Sequence, residues 1–341
     1  MKVILHIGVE KTGTTSIQHF LAINFAALKR QNTFFYGGRL LENKSQSTEL
    51  VLASVEQPGS NFARLPDPGI SEFRNRVKAE IRSVINIAEK GGVTQLLFSS
   101  EHMSSRMRTV EEIEILKSLF PDGVNFEIVV YCRRQDELYL GTLAEGIKAG
   151  VVINVPLDGE IQLGDGFYSR SYYDYNKLLS MWTDIFGKKN ISIYTFEHSQ
   201  LKSGNVVADF LSKVLQTEDL SNWRIPENHH LNRRLSAEFL YFLSDFNKSC
   251  SNSDRVTLLK HADIIDTFTS NSFIPVSRLA EFLASFKDTN NLVAQNFLHR
   301  KSLFTQSTIA EEDYVVADDE SLSNSMKSIN NKLDGILLQG S

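Results

Sequence analysis

A short segment near the N-terminus, Gly8 to Ser16, combines residue types that bind anions. Gly8 and Gly13 stand five positions apart, and a run of Thr and Ser follows the second glycine. This is the glycine spacing of a phosphate-binding loop. An apolar stretch precedes the segment and a helical pattern follows it. A loop between a strand and a helix presents backbone N–H groups that bind phosphate or sulfate. The segment therefore predicts an anion-binding loop.

The single lysine of this loop stands in an unusual place. Nucleoside triphosphatases have a lysine directly after the second glycine, where it reaches the β- and γ-phosphates beside a magnesium ion. Here Thr14 occupies that position, and Lys11 lies two residues before Gly13. The predicted strands end in Ser-Ser-Glu, Cys-Arg-Arg and Phe-Glu, without a magnesium-binding aspartate. The pattern favours a shorter and less charged ligand, such as a phosphosulfate, that one lysine neutralises without metal.

The string after the first predicted strand reads Lys11, Thr12, Gly13, Thr14, Thr15 and Ser16. It resembles the 5′-phosphosulfate loop of the superfamily of sulfotransferases that use 3′-phosphoadenosine 5′-phosphosulfate (PAPS). Ser16, followed by Ile17 and Gln18, is similar to the bacterial branch, because the animal cytosolic enzymes have an aromatic residue at that position. The resemblance implies transfer of a sulfuryl group from PAPS to an acceptor hydroxyl, with PAP as product and no metal. It also implies that this string binds the donor and that Lys11 takes part in catalysis.

The resemblance implies a second anion site at the end of a central strand. There, an arginine and a serine about eight residues later hold the 3′-phosphate. Arg133 follows the apolar run 126–132, but Gly141 replaces the serine and Thr142 stands next to it. Either Thr142 supplies the hydroxyl beside Arg133, or Arg134 holds the phosphate in register with Thr142. An arginine suits both assignments, because a guanidinium binds a phosphate through two parallel N–H bonds.

Two adjacent residues are candidates for the base that accepts the proton of the acceptor hydroxyl. Glu101 and His102 follow the predicted strand 96–98, at the edge of the sheet where ligands of α/β proteins bind. The resemblance implies a histidine here in cytosolic enzymes and a glutamate in the polysaccharide-modifying branch. Since bacterial relatives are similar to the Ser-Ser-Glu of this sequence, Glu101 is favoured and His102 is the alternative. In an extended segment adjacent side chains point to opposite faces, so one of the two would face the acceptor.

The elements around these residues alternate between short apolar runs and segments with helical spacing, which is typical of an α/β fold. We predict a three-layer α/β/α architecture with a central, mostly parallel, P-loop-like sheet and added helices in the C-terminal third. The predicted strands are 3–7, 96–98, 126–132 and 191–196, and the predicted helices include 73–88, 134–149 and 172–186. Thr109 and Glu112 have the spacing of a capping box.

One sulfotransferase domain is expected over residues 1–305, with a helical insertion on the substrate side at 39–90. From 306 to 341 the chain is polar and acidic, and this composition predicts a loosely held tail, with a short helix near its end as a further possibility. The resemblance extends weakly to about residue 305. In it, Phe196-Glu197-His198 is similar to the family's segment near the adenine, and Asn228–Arg234 to a loop that covers the cofactor.

Composition excludes several other classes of function. With 36 Lys and Arg against 41 Asp and Glu, the net charge is −5, so no global basic field attracts nucleic acid. Cys132 and Cys250 form no CxxC pair, which favours a reducing compartment and predicts no zinc site. No run approaches the ~18 apolar residues that cross a bilayer, and the N-terminal apolar stretch is too short for a signal peptide. A soluble, cytoplasmic protein is therefore expected.

Two other functions compete with sulfuryl transfer. A P-loop kinase of nucleosides or sugars needs a lysine after Gly13 and an aspartate at a strand end, and the sequence has neither. A catalytically inert nucleotide-binding protein of the same fold is favoured by Gly141, but not by the intact first loop and the candidate base. Bacterial relatives imply a hydroxyl-bearing acceptor such as a carbohydrate, a glycolipid or a small metabolite. The sequence does not choose among these acceptors, and it leaves the oligomeric state open.

Overall fold

The computed structural model describes residues 1–41, 46–55, 69–152, 161, 163, 168–217, 221, 223–224 and 235–339. The chain divides into two compact units. The first unit contains residues 1–134, 164–227 and 288–305, and the second contains 135–163, 228–287 and 306–341. The residues predicted to bind the donor's 5′-phosphosulfate and to act as base all belong to the first unit.

A five-stranded sheet forms the centre of the first unit. Its strands in chain order are β1 (Lys2–His6), β2 (Thr33–Tyr36), β3 (Gln95–Ser99), β4 (Asn125–Cys132) and β5 (Ile191–Thr195). Their order across the sheet is β2-β3-β1-β4-β5, and every neighbouring pair is parallel. Val3, Ile4 and Leu5 of the central strand are fully buried, as expected where helices cover both faces of a parallel sheet.

The described residues form sixteen α-helices. In chain order they are α1 (Thr14–Ile23), α2 (Phe25–Arg30), α3 (Thr48–Ser54), α4 (Ile70–Lys90), α5 (His102–Arg106), α6 (Val110–Ser118), α7 (Gln135–Lys148), α8 (Arg170–Tyr173), α9 (Tyr175–Phe186), α10 (Val206–Lys213), α11 (Ala237–Phe246), α12 (Asn252–Lys260), α13 (Ala262–Ile265), α14 (Val276–Ala284), α15 (Lys287–Val293) and α16 (Asp319–Gln339). None of these helices is long and apolar enough to span a membrane.

Helices cover both faces of the sheet. On one face Ile4 packs in a core with Phe20 of α1 and Phe210 of α10. On the other face the ring of Phe126 contacts the ring of Phe186 of α9. The three-layer α/β/α architecture is therefore confirmed for this unit, with a sheet whose five strands are all parallel.

Most of the elements predicted for the first unit are present. The four predicted strands correspond to β1, β3, β4 and β5, and their ends differ from the prediction by one residue at most. The predicted helix 73–88 lies within α4, and Thr109 caps α6 in a capping box with Glu112. The edge strand β2 was not predicted, although the β-branched and aromatic residues of Thr33–Tyr36 favour a strand.

The strand order opens a crevice at the carboxyl edge of the sheet. The chain leaves β1 toward β2 on one side, and it leaves β4 toward β5 on the other side. Because such crossovers are right-handed, the two connections run over opposite faces of the sheet. The loops after β1 and β4 therefore separate, and ligands of α/β proteins bind at such a point. Lys11 follows β1 and Arg133 follows β4.

The second unit is helical in its described residues, which agrees with the helices predicted for the C-terminal third. Its core contains Phe239 and Leu243 of α11 together with Leu322 and Ile329 of α16. Residues 306–341 were expected to form a loosely held tail, but α16 packs against α11 and buries both of these side chains. Leu322 and Ile329 are seven positions apart, so they share one face of the helix. Because most residues between them are polar, the composition of the segment does not indicate an apolar helix face.

Candidate functional site

The loop between β1 and α1 turns around three residues with left-handed backbone conformations. Gly8, Lys11 and Gly13 have φ values of 50°, 64° and 74°. A residue other than glycine adopts this conformation rarely, and such strain is concentrated at binding and active sites. The Thr12 hydroxyl donates a 2.6 Å hydrogen bond to the carbonyl of Val9, which holds the turn from within. Lys11 thus lies at the turn between the two glycines.

The two glycines of this loop allow close contacts that a side chain would prevent. A Cβ atom at Gly8 would lie 3.3 Å from Oγ1 of Thr14 and 3.4 Å from Cα of Glu101. A Cβ atom at Gly13 would lie 2.7 Å from Cγ1 of Val206. The start of the loop, the first turn of α1 and the backbone of Glu101 are therefore in direct proximity.

The N-terminus of α1 faces the loop with its hydrogen-bond donors available. Gly13 is the N-cap residue, and no side chain of the described residues caps the helix. The N–H groups of the first turn lack carbonyl partners within the helix, and the helix dipole adds positive potential there. The Thr14 hydroxyl is buried, and its Oγ1 has no hydrogen-bond partner in the described part of the chain. A buried polar atom without a partner is unfavourable. An oxygen of a bound anion would be able to accept a hydrogen bond from this hydroxyl.

Arg133 joins the end of β4 to the same loop. Its Nη1 donates a 2.6 Å hydrogen bond to the carbonyl of Lys11. Its guanidinium lies over the Phe196 ring, 5.4 Å from the ring centroid, in a cation–π contact. The Tyr175 hydroxyl accepts from the backbone N–H of Arg133 at 3.2 Å and donates to its carbonyl. The guanidinium of Arg133 therefore lies against the backbone of the loop at Lys11.

The other residues predicted to bind the 3′-phosphate lie in different surroundings. Arg134 is buried, with 5% of its surface exposed. Thr142 belongs to the second unit, where it lies on α7 and donates a 2.9 Å hydrogen bond to the carbonyl of Tyr139. Its part in holding the phosphate, with Arg133 or with Arg134, remains a prediction. Residues 228–234, predicted to cover the cofactor, lie outside the described residues.

A series of hydrogen bonds connects the ends of β1 and β3 to Glu101. His6 and Ser99 are register partners, and Ser99 Oγ lies 2.9 Å from His6 Nδ1. Gln18 of α1 extends its Nε2 to 3.3 Å from Ser99 Oγ and to 3.0 Å from Glu101 Oε2. His6, Ser99 and Gln18 are buried, whereas Glu101 is half-buried. The carboxylate of Glu101 is thus held at the border between the core and the crevice.

Burial keeps the imidazole of His6 neutral. Its side chain is fully buried, and this loss of solvent lowers its pKa from 6.5 to about 3. The rings of Tyr131 and Phe210 lie edge-on to the imidazole. A neutral imidazole has one nitrogen that accepts a hydrogen bond, and Nδ1 is the nitrogen that faces the Ser99 hydroxyl.

His102 has a different set of partners. Its Nδ1 lies 4.0 Å from Oε1 of Glu10, and the Tyr168 hydroxyl donates to the other Glu10 oxygen at 3.1 Å. Burial lowers the pKa of His102, although the charges of Glu101 and Glu10 act in the opposite direction. A neutral His102 would also be able to accept a proton.

Across the described residues, no group of three or more His, Cys, Asp and Glu could hold a metal ion.

The backbone around the two candidate bases differs from the prediction. Glu101 and His102 were expected in an extended segment, but Glu101 has helical angles of φ −63° and ψ −22°, and α5 begins at His102. The expected alternation of faces is therefore wrong, because the chain turns into a helix directly after Ser100. Their side chains nevertheless face different partners: Glu101 binds Gln18, and His102 lies beside Glu10.

Several residues of this region were not predicted from the sequence. The sequence motifs indicate no role in the site for Gln18, Ser99, Tyr168 or His6. A signal for Gln18 was present, since it lies four residues after Thr14 and so on the same face of α1. His6 ends β1 and Ser99 ends β3, so both lie at the edge of the sheet where ligands bind.

No protein-family model matches this sequence, and a comparison with curated proteins gives no match. Among solved structures, the chain is similar to the crystal structure of a sulfotransferase from Alicyclobacillus acidocaldarius. The two share 14% sequence identity over 82% of this chain and 94% of that chain, with a TM-score of 0.39.

Proposed function

We propose that this protein transfers a sulfuryl group from PAPS to a hydroxyl group of an acceptor. The observation that carries the proposal is the loop after β1, in which Lys11 lies at the turn and Arg133 donates to the carbonyl of that lysine. A loop that contains a lysine, binds an arginine and leads into the N-terminus of a helix favours a ligand with several negative charges. The assignment to the PAPS-dependent superfamily is part of this proposal, and the string Lys11–Ser16 supports it.

Lys11 and the first turn of α1 would stabilise the leaving group. Sulfuryl transfer resembles phosphoryl transfer in its loose, in-line transition state, so positioning and charge stabilisation dominate catalysis. When the acceptor oxygen bonds to sulfur, the bond between sulfur and the bridging oxygen breaks, and negative charge collects on the 5′-phosphate of PAP. The ammonium of Lys11 and the hydroxyl of Thr14 are the side-chain groups proposed to meet that charge. The backbone N–H groups of Thr14, Thr15 and Ser16 add the remaining donors.

Glu101 would accept the proton that the acceptor hydroxyl loses. Its backbone lies close to the loop, because a Cβ atom at Gly8 would be 3.4 Å from Cα of Glu101. One carboxylate oxygen is bound by Gln18. Among the described residues, no hydrogen bond is made to the other oxygen, Oε1. His102 remains the alternative base, since burial favours its neutral form.

Donor binding tests the proposal first. We expect PAP to bind with equal affinity in the presence of EDTA and of Mg²⁺, measured by calorimetry. Lys11→Ala should weaken this binding at least tenfold. Lys29→Ala is the matched control, because Lys29 is exposed near the end of α2 and this helix leads to the opposite edge of the sheet. A strict requirement for Mg²⁺, with turnover of a nucleoside triphosphate, would refute sulfuryl transfer in favour of a kinase.

Turnover tests the reaction itself. PAPS labelled in its sulfuryl group would be incubated with panels of carbohydrates, glycolipids and small hydroxylated metabolites. We expect label to appear in one acceptor class and PAP to be released in equal amount. Tight binding of PAP without transfer to any panel would instead support a catalytically inert nucleotide-binding protein.

A further inference from the structure

We infer that Gln18 is a positioning residue that orients Glu101 through its side-chain amide. It binds one oxygen of the carboxylate and leaves the other for the acceptor proton. The inference rests on the proposed function, in which Glu101 is the base. Gln18 itself touches neither donor nor acceptor in this role, since it is 1% exposed beneath the crevice.

The contacts of Gln18 determine the orientation of its amide. Its Nε2 lies 3.0 Å from Oε2 of Glu101 and 3.3 Å from Oγ of Ser99. The reverse orientation would place the amide oxygen against a carboxylate oxygen, and two acceptors repel each other. With Nε2 toward the carboxylate, the amide Oε1 is buried and has no hydrogen-bond partner in the described part of the chain. An unsatisfied buried oxygen is unfavourable. The contacts of Nε2 with Glu101 and Ser99, and not any contact of Oε1, therefore stabilise this orientation of the amide.

The hydrogen bonds behind Gln18 have one consistent direction. The NH₂ group of Gln18 has two hydrogens, one for Glu101 and one for Ser99. The Ser99 hydroxyl then donates its own hydrogen to Nδ1 of His6, 2.9 Å away. This direction corresponds to the tautomer of neutral His6 in which Nε2 carries the hydrogen and Nδ1 accepts. The amide is therefore anchored from the core side, and its remaining hydrogen points to the carboxylate.

The position of Gln18 on α1 links the base to the donor loop. Gln18 and Thr14 are four residues apart and both are buried, so they share one face of the helix. Thr14 begins the helix at the anion-binding loop. One rigid turn of helix thus sets the distance between the donor's phosphosulfate and the carboxylate that receives the proton. Such positioning matters, because small displacements of a catalytic group greatly reduce the rate.

Steady-state kinetics separates positioning from donor binding. Gln18→Met keeps the length of the side chain but removes the N–H donor. We expect kcat to fall about 10- to 100-fold, the effect of losing a hydrogen bond to a charged group. The KM for PAPS should change less than about twofold, because Gln18 does not contact the donor. His19→Ala on the exposed side of the same helix is the control, and it should leave both constants unchanged. Unchanged kcat in Gln18→Met would overturn the inference.

A second measurement needs neither donor nor acceptor. In ¹⁵N-labelled protein, the side-chain amide of Gln18 is assigned by its absence in Gln18→Met. Its hydrogen-bonded proton should lie downfield and exchange slowly, and Glu101→Gln should move it upfield by removing the charged acceptor. His19→Ala should leave it in place. If Glu101→Gln does not move the proton, the inference fails whether or not the protein uses PAPS. If the proton moves but no sulfuryl transfer is found, the pairing stands and the proposed function fails.

Discussion

The loop after β1 and the segment after β3 lie side by side at the carboxyl edge of the sheet. Backbone conformation determines the structure of the first, and side-chain hydrogen bonds determine that of the second. The loop is shaped by its backbone, with left-handed conformations at Gly8, Lys11 and Gly13 and the uncapped N-terminus of a helix. The segment after β3 is shaped by side chains, since Glu101 is held through Gln18 and Ser99 from buried His6.

This difference predicts how each region responds to change. A backbone site depends on φ angles and on the absence of side chains at close contacts, so it is sensitive to glycine substitutions and insensitive to mild changes of pH. A side-chain network depends on the protonation state and the identity of each member. It is therefore sensitive to acid and to substitutions that keep the shape of a residue but alter its hydrogen bonds.

The largest expected effect comes from removing the base. Glu101→Gln keeps the shape but does not accept a proton, so turnover should fall by about 10²–10⁴-fold. The affinity for PAP, measured by calorimetry, should stay within about twofold, because the loop binds the donor without this carboxylate. His102→Ala is the parallel variant. Near-native turnover in Glu101→Gln, together with inactivity of His102→Ala, would identify the histidine as the base.

The next effect concerns the 3′-phosphate of the donor. Arg133→Ala should weaken PAPS far more than adenosine 5′-phosphosulfate, which lacks that phosphate. Losing a charge-assisted pair of hydrogen bonds costs about 2–3 kcal/mol, roughly 30–150-fold in affinity. The same comparison with Arg134→Ala distinguishes the two arginines. Equal losses for both nucleotides in Arg133→Ala would show that its role is limited to holding the loop through the Lys11 carbonyl.

The side-chain network should make stability depend on pH through His6. Its pKa is about 3 in the folded protein and about 6.5 when unfolded. Between these values the unfolded chain binds a proton that the folded chain does not. Stability is therefore fully present above pH 6.5 and falls as the pH drops toward 3, by about 1.4 kcal/mol per pH unit. The free energy of unfolding, measured with denaturant, should be higher at pH 6.5 than at pH 5, and His6 should contribute about 2 kcal/mol of this difference.

His6→Asn isolates this contribution, because the amide is uncharged and still offers Ser99 an acceptor. The variant should lose most of the pH dependence assigned to His6, whereas His19→Asn, at an exposed position on α1, should keep the native slope. If wild type and His6→Asn show the same slope between pH 5 and pH 6.5, His6 becomes charged without unfolding.

The smallest expected difference, about 1 kcal/mol between two glycine variants, tests the backbone of the loop. Gly13 and Gly92 have the same φ of 74°, but a Cβ atom would lie 2.7 Å from Val206 Cγ1 at Gly13 and would contact nothing within 4 Å at Gly92. Each alanine should cost about 1 kcal/mol of stability for its left-handed conformation, and Gly13→Ala about 1 kcal/mol more for the crowding. Thermal unfolding measures both. Only Gly13→Ala should also weaken PAP binding, and equal effects of the two variants would contradict the close contact.

The sequence by itself determined the elements and one half of the site. The anion-binding loop could be predicted because its glycines, Lys11 and hydroxyl residues are contiguous, and the apolar runs predicted four of the five strands. The prediction failed for the extended form of Glu101 and His102, because a five-residue helix leaves almost no periodic signal.

Only the tertiary structure brought His6, Gln18, Ser99 and Glu101 together. The strand order places β3 beside β1, and the packing of α1 on the sheet brings Gln18 to Glu101, 83 positions away along the chain. Contacts between residues so far apart depend on the register and packing of whole elements, which local spacing does not specify.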